Sequence, residues 1–295
     1  MPLLQYAKSE ELLRFKDSVA IITGAGNGIG FGIARAFAAE GAQVVIADIS
    51  AEAGTRAVAA IEASGGRAVS VPTDVSDEAQ VAAMTAAVVN RFGQIDILVN
   101  NAGVVVHKLL VDLELEAWQR QLDVQLTGPF LTIKHVGRQM MAQSAPDLRG
   151  GKIVNISSVS ALMGRVKGGP HCAAKGGLTM LTKVAAMELA AYGVNVNAVA
   201  PGLIDVPSQR AEENISTAYK TRYLQEVPLG RMGETADIAQ MVLFLCSDAA
   251  NWITGQLYLV DGGLMAGHYS FQGNHDFTML DGHATSIADG VKEAT

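Results

Sequence analysis

The sequence predicts an α/β protein, a single doubly wound domain with a parallel sheet of about seven strands and helices on both faces. Three observations point there. Strand-like and helix-like patterns alternate from residue 18 onward. The strand segments are continuous apolar runs, the pattern of strands covered on both sides, rather than an alternation of polar and apolar residues. No linker or shift of composition divides the chain, so the alternation belongs to one unit. With right-handed crossovers these features give a Rossmann-like sheet.

Each element has its own warrant. Ser18–Thr23 is a short buried run and predicts the first strand, and Ile29, Ile33 and Phe37 then repeat at helical spacing. Gln43–Ala47 is rich in β-branched residues, and an alanine-rich helix follows over 51–63. Arg67–Val71 predicts a strand, and Val81, Met84 and Val88 stack on one face of a helix over 76–91. Ile95–Val99 is the fourth strand, followed by a long helical stretch over 115–142. Lys152–Ile156, Val194–Val199 and Gln256–Val260 complete the strands, with helices over 171–191 and 234–247. Residues 1–17 and 264–295 read as terminal arms around a domain of 18–263, the C-terminal arm as an interface or a pocket cover.

The composition is 49% hydrophobic with 5% aromatics, so Ala, Val, Leu and Ile fill the core. A net charge of −7 without runs of Lys or Arg excludes an electrostatic footprint for nucleic acid. The apolar runs are too short and interrupted to span a bilayer, and the charged N-terminus does not resemble a signal peptide. Cys172 and Cys246 form no paired motif and read as free thiols, consistent with a cytoplasmic location.

Between the first strand and first helix stands Thr23-Gly24-Ala25-Gly26-Asn27-Gly28-Ile29-Gly30. Glycines here permit a tight turn and let backbone N–H groups approach a pyrophosphate at the positive helix end. Asp48 ends the next strand, near the roughly 20-residue separation expected of a carboxylate that bonds the adenosine ribose. A carboxylate there repels a 2′-phosphate, and Ile49 and Ser50 supply no compensating arginine, so NAD is favoured over NADP. Asp74, ahead of Val75, either bonds the adenine amino group or caps the helix that begins near Ser76.

With Asn100-Asn101-Ala102-Gly103, Ser158, Lys175, Pro201-Gly202 and Asp261-Gly262-Gly263 in order, the chain resembles the short-chain dehydrogenase/reductase family over about 18–263. The resemblance implies an NAD-dependent oxidoreductase moving hydride between nicotinamide and a secondary alcohol or ketone. It assigns the adenosine pocket to Asn101, Ala102 and Gly103, and the nicotinamide flank to Pro201, Gly202 and Ile204. Ser158 would position the substrate oxygen, and Lys175 would hold the nicotinamide ribose. A homotetramer or homodimer through the long helices is also implied, with Leu126, Phe130, Ile133, Leu178, Leu181 and Val184 as apolar candidates.

Two positions depart from the family's pattern. His171 stands at the interval where the family places its catalytic tyrosine, one helical turn before Lys175, and Gln125 stands for the asparagine of the central helix. A neutral imidazole has a reference pKa of about 6.5 and serves as a base near neutrality. The Lys175 ammonium lowers that pKa, so the pair suits alcohol oxidation better than ketone reduction. The competing readings are a non-redox NAD-using epimerase, lyase or isomerase, and an inactive NAD-binding protein in which His171 merely starts a helix. Cys172 points away and reads as packing. His107, Lys108, Arg165 and Lys167 lie in the substrate loops (104–108, 161–169 and 203–225) and favour an anionic small-molecule substrate. His268, His275 and His283 fit no metal spacing, so no metal is expected.

Overall fold

The computed structural model describes residues 13–144, 150–206 and 217–267. Seven parallel strands form one sheet: β1 (Val19–Thr23), β2 (Gln43–Asp48), β3 (Arg67–Pro72), β4 (Ile97–Asn100), β5 (Gly151–Ile156), β6 (Val194–Pro201) and β7 (Leu257–Val260). Their order is β3-β2-β1-β4-β5-β6-β7, so the direction of winding reverses between β1 and β4. The crevice above that reversal is where open α/β sheets bind ligands.

Helices cover both faces. On one side α1 (Gly28–Ala39), α2 (Ala51–Glu62) and α8 (Thr235–Cys246) bury Ile33, Phe37, Ile61 and Ile238 against Ala20, Ile22 and Ile46. On the other, α3 (Glu78–Phe92), α5 (Gly128–Gln143) and α6 (Gly169–Leu189) bury Met84, Val136 and Met140 against Ile21, Val45 and Leu98. Successive strand residues thus feed opposite cores, which explains the unbroken apolar runs. Each fully buried isoleucine contributes about 1.5–3 kcal/mol over an exposed one.

Several boundaries differ from the sequence reading, each for a local reason. β4 begins at Ile97 because Asp96 turns its carboxylate onto the Val19 N–H, 2.7 Å away, and Ile95 N–H donates to Gln143. α3 begins at Glu78, since Asp77 accepts from the Ala79 and Gln80 N–H groups. The long helix expected over 115–142 is three pieces: α4 (Leu115–Leu122), one π turn (Asp123–Thr127) and α5. The loop expected over 203–225 ends in α7 (Thr217–Glu226). The N-terminal arm is in part core, with Phe15 buried edge-on to Phe37 and Arg14 paired with Glu40 at 3.1 Å. Residues 1–12 and 268–295, with His268, His275 and His283, lie outside the described residues.

Candidate active site

A cavity of about 460 Å³ opens at the carboxyl ends of β1, β2, β4, β5 and β6. Nearly every residue singled out in the sequence lines it, from Gly24, Asn27, Gly28 and Ile29 at one end to Ser158, His171 and Lys175 at the other. A larger hollow of about 720 Å³ lies at the opposite end of the sheet around Lys16, Arg35 and Arg67, but no catalytic candidate faces it.

At the end formed by the glycine turn the geometry is made mostly by backbone. Gly24 and Gly28 take φ of +61° and +58°, a region that favours glycine. A Cβ on Gly30 would lie 2.4 Å from Asn101 Nδ2 and 2.5 Å from the Gly24 carbonyl, so α1 can pack this closely on the turn only with glycine there. Asn101 holds the turn in place, its amide donating to the Thr23 and Gly24 carbonyls at 3.0 Å. The Thr23 hydroxyl accepts from the Asn101 and Ala102 N–H groups. Asn27 starts α1 without a side-chain capping bond, which leaves first-turn N–H groups for an anion. Asp48 accepts from Gly26 N–H at 2.8 Å and Ser50 N–H at 2.9 Å, which fixes its carboxylate beside the turn. A glycine cradle, an uncapped helix end and a fixed carboxylate fit a dinucleotide.

Asp74 lines the cavity and is held by neighbours of its own. Its carboxylate accepts from the Ser76 N–H and hydroxyl and pairs with Arg120 at 3.3 Å, while Asp77 caps the helix. Burial opposes ionisation there, but the Ser76 hydrogen bonds and the Arg120 charge hold the carboxyl below its ordinary value.

At the other end, side chains carry the arrangement. Lys175, buried on α6, donates to the Ile156 carbonyl at 2.6 Å, and desolvation lowers its pKa to about 8. His171 sits one turn earlier, with Nδ1 2.9 Å from Gln125 Oε1. Burial, reinforced by the charges of Lys175, Arg165 and His107, lowers the His171 pKa to about 3. Lys175 lowers it in the direction its charge requires, and desolvation is the larger effect. Gln125 is buried in the π turn and its Nε2 donates to the Val104 carbonyl. Ser158 starts a short turn, its hydroxyl accepting from Ser160 N–H at 3.1 Å. Pro201, Gly202 and Ile204 form the facing wall, where Tyr223 Oη accepts from Leu203 N–H at 2.6 Å. Val75 and Gly103 complete the lining.

Of the loop cations, His107 and Arg165 line the cavity, whereas Lys108 turns aside to pair with Glu114 at 2.6 Å. Cys172 is half-buried, with Sγ 3.8 Å from the Met163 carbonyl. Among the described residues no cluster of His, Cys, Asp or Glu could hold a metal, and no helix is long and apolar enough to cross a membrane.

Sequence reasoning missed three contributors. Gln121, fully buried on α4, accepts from the Val106 N–H at 3.2 Å, so two glutamines four residues apart brace the loop 104–106. Arg120 restrains Asp74, and Tyr223 restrains the wall after β6. The spacing of Gln121 and Gln125 on one helical stretch was the available signal for the first; nothing marked the other two.

A family model described as Enoyl-(Acyl carrier protein) reductase matches residues 24–265. Cis-4-hydroxycyclohexanecarboxylate dehydrogenase of Sinomonas cyclohexanicum is 39% identical over 253 residues, 85% of this chain and 98% of that protein. Galactitol 2-dehydrogenase of Agrobacterium fabrum is 40% identical over 259 residues, 85% of this chain and 98% of the relative. A solved Agrobacterium tumefaciens chain with bound NADP superposes with a TM-score of 0.78 at 34% identity, covering 86% of this chain and 99% of its own.

Proposed function

The chain belongs to the short-chain dehydrogenase/reductase family, an enzyme family acting on alcohols and ketones, and from that premise we propose an NAD-dependent oxidation of a secondary alcohol with His171 as base. The observation that carries the reading is the place of His171, in one cavity with Ser158 and one helical turn before Lys175. In this reading His171 occupies the family's tyrosine position and Gln125 that of its asparagine.

The residues divide the work. The glycine turn and Asp48 hold the adenosine half, and Lys175 orients the nicotinamide ribose. Nicotinamide, when bound, accepts the hydride from the alcohol carbon. Ser158 donates to the substrate oxygen and His171 Nε2 takes the hydroxyl proton. An imidazole with a pKa of about 3 is neutral at physiological pH and so stands in the proton-accepting form, although the same desolvation makes it a weak base. The proton-accepting form is the one that alcohol oxidation uses, and oxidation is the proposed direction.

NAD is preferred because Asp48 is fixed where a 2′-phosphate would meet a carboxylate, and the neighbouring Ile49 is exposed and carries no charge to offset it. Both named relatives are dehydrogenases of secondary hydroxyl groups, one of them on a carboxylate-bearing ring. His107 and Arg165 in the cavity suit a substrate with an anionic group of that kind. Assembly follows from the exposed apolar surface of α5 and α6, where Phe130, Met180, Val184 and Met187 face outward. Leu178, included among the interface candidates from sequence, is instead fully buried in the fold. A homotetramer or homodimer through these helices is the expected state, checked by sedimentation.

The decisive experiment follows reduced-nicotinamide absorbance while hydroxy acids and neutral secondary alcohols are presented with NAD and then with NADP. Turnover with NAD and a hydroxy acid is the expected result. Nucleotide binding without any absorbance change across the panel would replace the oxidoreductase reading with a binding protein or a non-redox isomerase.

A further inference from the structure

Gln125 and His171 touch directly, and the direction of that contact can be read from its neighbours. Nε2 of Gln125 donates to the carbonyl of Val104, a group that only accepts. The amide is thereby oriented, and its Oε1 is the atom 2.9 Å from His171 Nδ1. An amide oxygen cannot donate, so Nδ1 must carry the ring proton. The other nitrogen, Nε2, is left with its lone pair and makes no hydrogen bond among the described residues.

We propose that Gln125 is the positioning residue of the reaction: through the Val104–Gln125–His171 chain of hydrogen bonds it fixes the Nδ1–H tautomer and presents a bare Nε2 to the cavity. The inference rests on His171 being the base. It also accounts for glutamine in particular. An asparagine from the same backbone would end about one C–C bond short, roughly 1.5 Å, too far to join a 2.9 Å contact to the Val104 carbonyl. The π turn of Asp123–Thr127 carries the longer arm, with Gln125 Nε2 seated close to Gly103. The balance is simple: the alcohol O–H bond breaks as Nε2–H forms, giving an imidazolium whose Nδ1–H stays hydrogen-bonded to Gln125, while the C–H bond breaks as the carbonyl forms and its hydride would pass to the oxidised cofactor, reducing it. The charged groups that face this ring are Lys175 on α6, Arg165 before it and His107 on the loop after β4. All three oppose imidazolium, so the tautomer, and not a charge partner, is what the protein controls.

The test is nitrogen-15 NMR of the histidine-labelled apo protein, with the His171 signals assigned by their loss in His171→Phe. The expected spectrum at neutral pH shows Nδ1 protonated and Nε2 bare. Gln125→Leu and Gln125→Asn should release the ring to a mixture of tautomers and lower kcat by tenfold or more with KM for NAD unchanged. Gln125→Glu supplies a charged acceptor, and should keep Nδ1–H while raising the imidazole pKa by about 1–3 units, with the acid limb of the oxidation profile moving equally. A wild-type ring protonated on Nε2, or a tautomer unchanged by Gln125→Leu, overturns the proposal. A locked Nδ1–H tautomer in a protein whose His171→Phe variant still turns over would sustain the hydrogen-bond chain and remove the base assignment, so the two failures are distinguishable.

Discussion

At the adenosine end of the cavity the shape comes from main chain: two glycines at positive φ, a third pressed against Asn101, and carboxylate and amide side chains that fasten the turn. At the reacting end the shape comes from an imidazole, an amide and an ammonium that meet in a desolvated corner. The first construction admits few sequences, because steric contact at 2.4 Å leaves no room for adjustment. The second tolerates exchange of parts so long as donors and acceptors still match. One region is therefore constrained residue by residue, the other pair by pair.

The largest effect separates the two ends by function. His171→Phe is expected to lower kcat for oxidation by about 10²–10⁴-fold. NAD affinity by calorimetry should not change, because the ring does not touch the adenosine half. Unchanged turnover would make the histidine a bystander and erase the contrast. Next in size is Gly30→Ala, which forces a methyl against Asn101 Nδ2 and the Gly24 carbonyl. Overpacking of this kind costs about 1–3 kcal/mol, visible as a lower denaturation midpoint with nucleotide binding lost. A neutral outcome there would show that the main-chain end has slack after all.

Asp48→Ala is smaller. Removing one like charge near a 2′-phosphate is worth about 1 kcal/mol when solvent screens it, so the NAD-to-NADP preference should narrow several-fold in a calorimetric titration. Equal affinities in the wild type would sink the cofactor assignment.

Smallest is the pH dependence of stability. The folded chain keeps His171 neutral down to pH about 3, whereas the unfolded imidazole takes a proton near its ordinary 6.5. Between those values the unfolded state binds more protons, so the contribution of His171 is complete above pH 6.5 and is lost as pH falls. From pH 6.5 to 5.5 the loss is about 1 kcal/mol by that linkage, and in urea titrations it should be absent from His171→Phe and so appear as a pH-dependent difference between wild type and variant. Lys175 acts in the same sense at alkaline pH, adding stability as pH rises from about 8 toward 10.5.

The same contrast governs what could be read from sequence. Glycine spacing and a terminal aspartate encode the turn after β1 because their reason is local, namely backbone angles and distance along the chain. All seven strands were legible because each is an unbroken apolar run between helical periods. The contact of Gln125 with His171 was not, since 46 residues separate them and only the fold brings them together. Nor was the break in the central helix anticipated, although Gly128 and Pro129 stand within the stretch and Pro129 takes the first turn of α5. Asp74 was left open between two roles because its partner, Arg120, lies on another element.

The π turn also has a consequence for the length of the chain. A π turn closes its hydrogen bonds one residue further along than an α turn, so Asp123–Thr127 holds one residue more than a regular helix needs. Deleting a single residue there would let α4 and α5 merge into one straight rod. Everything upstream would then swing by about a hundred degrees, the angle each residue subtends in an α-helix. Gln121 would turn away from Val106 while α5 kept its seat against the sheet. The segment behaves as the offset in a crankshaft, and the angle between α4 and α5 is stored in the count of residues rather than in any one side chain.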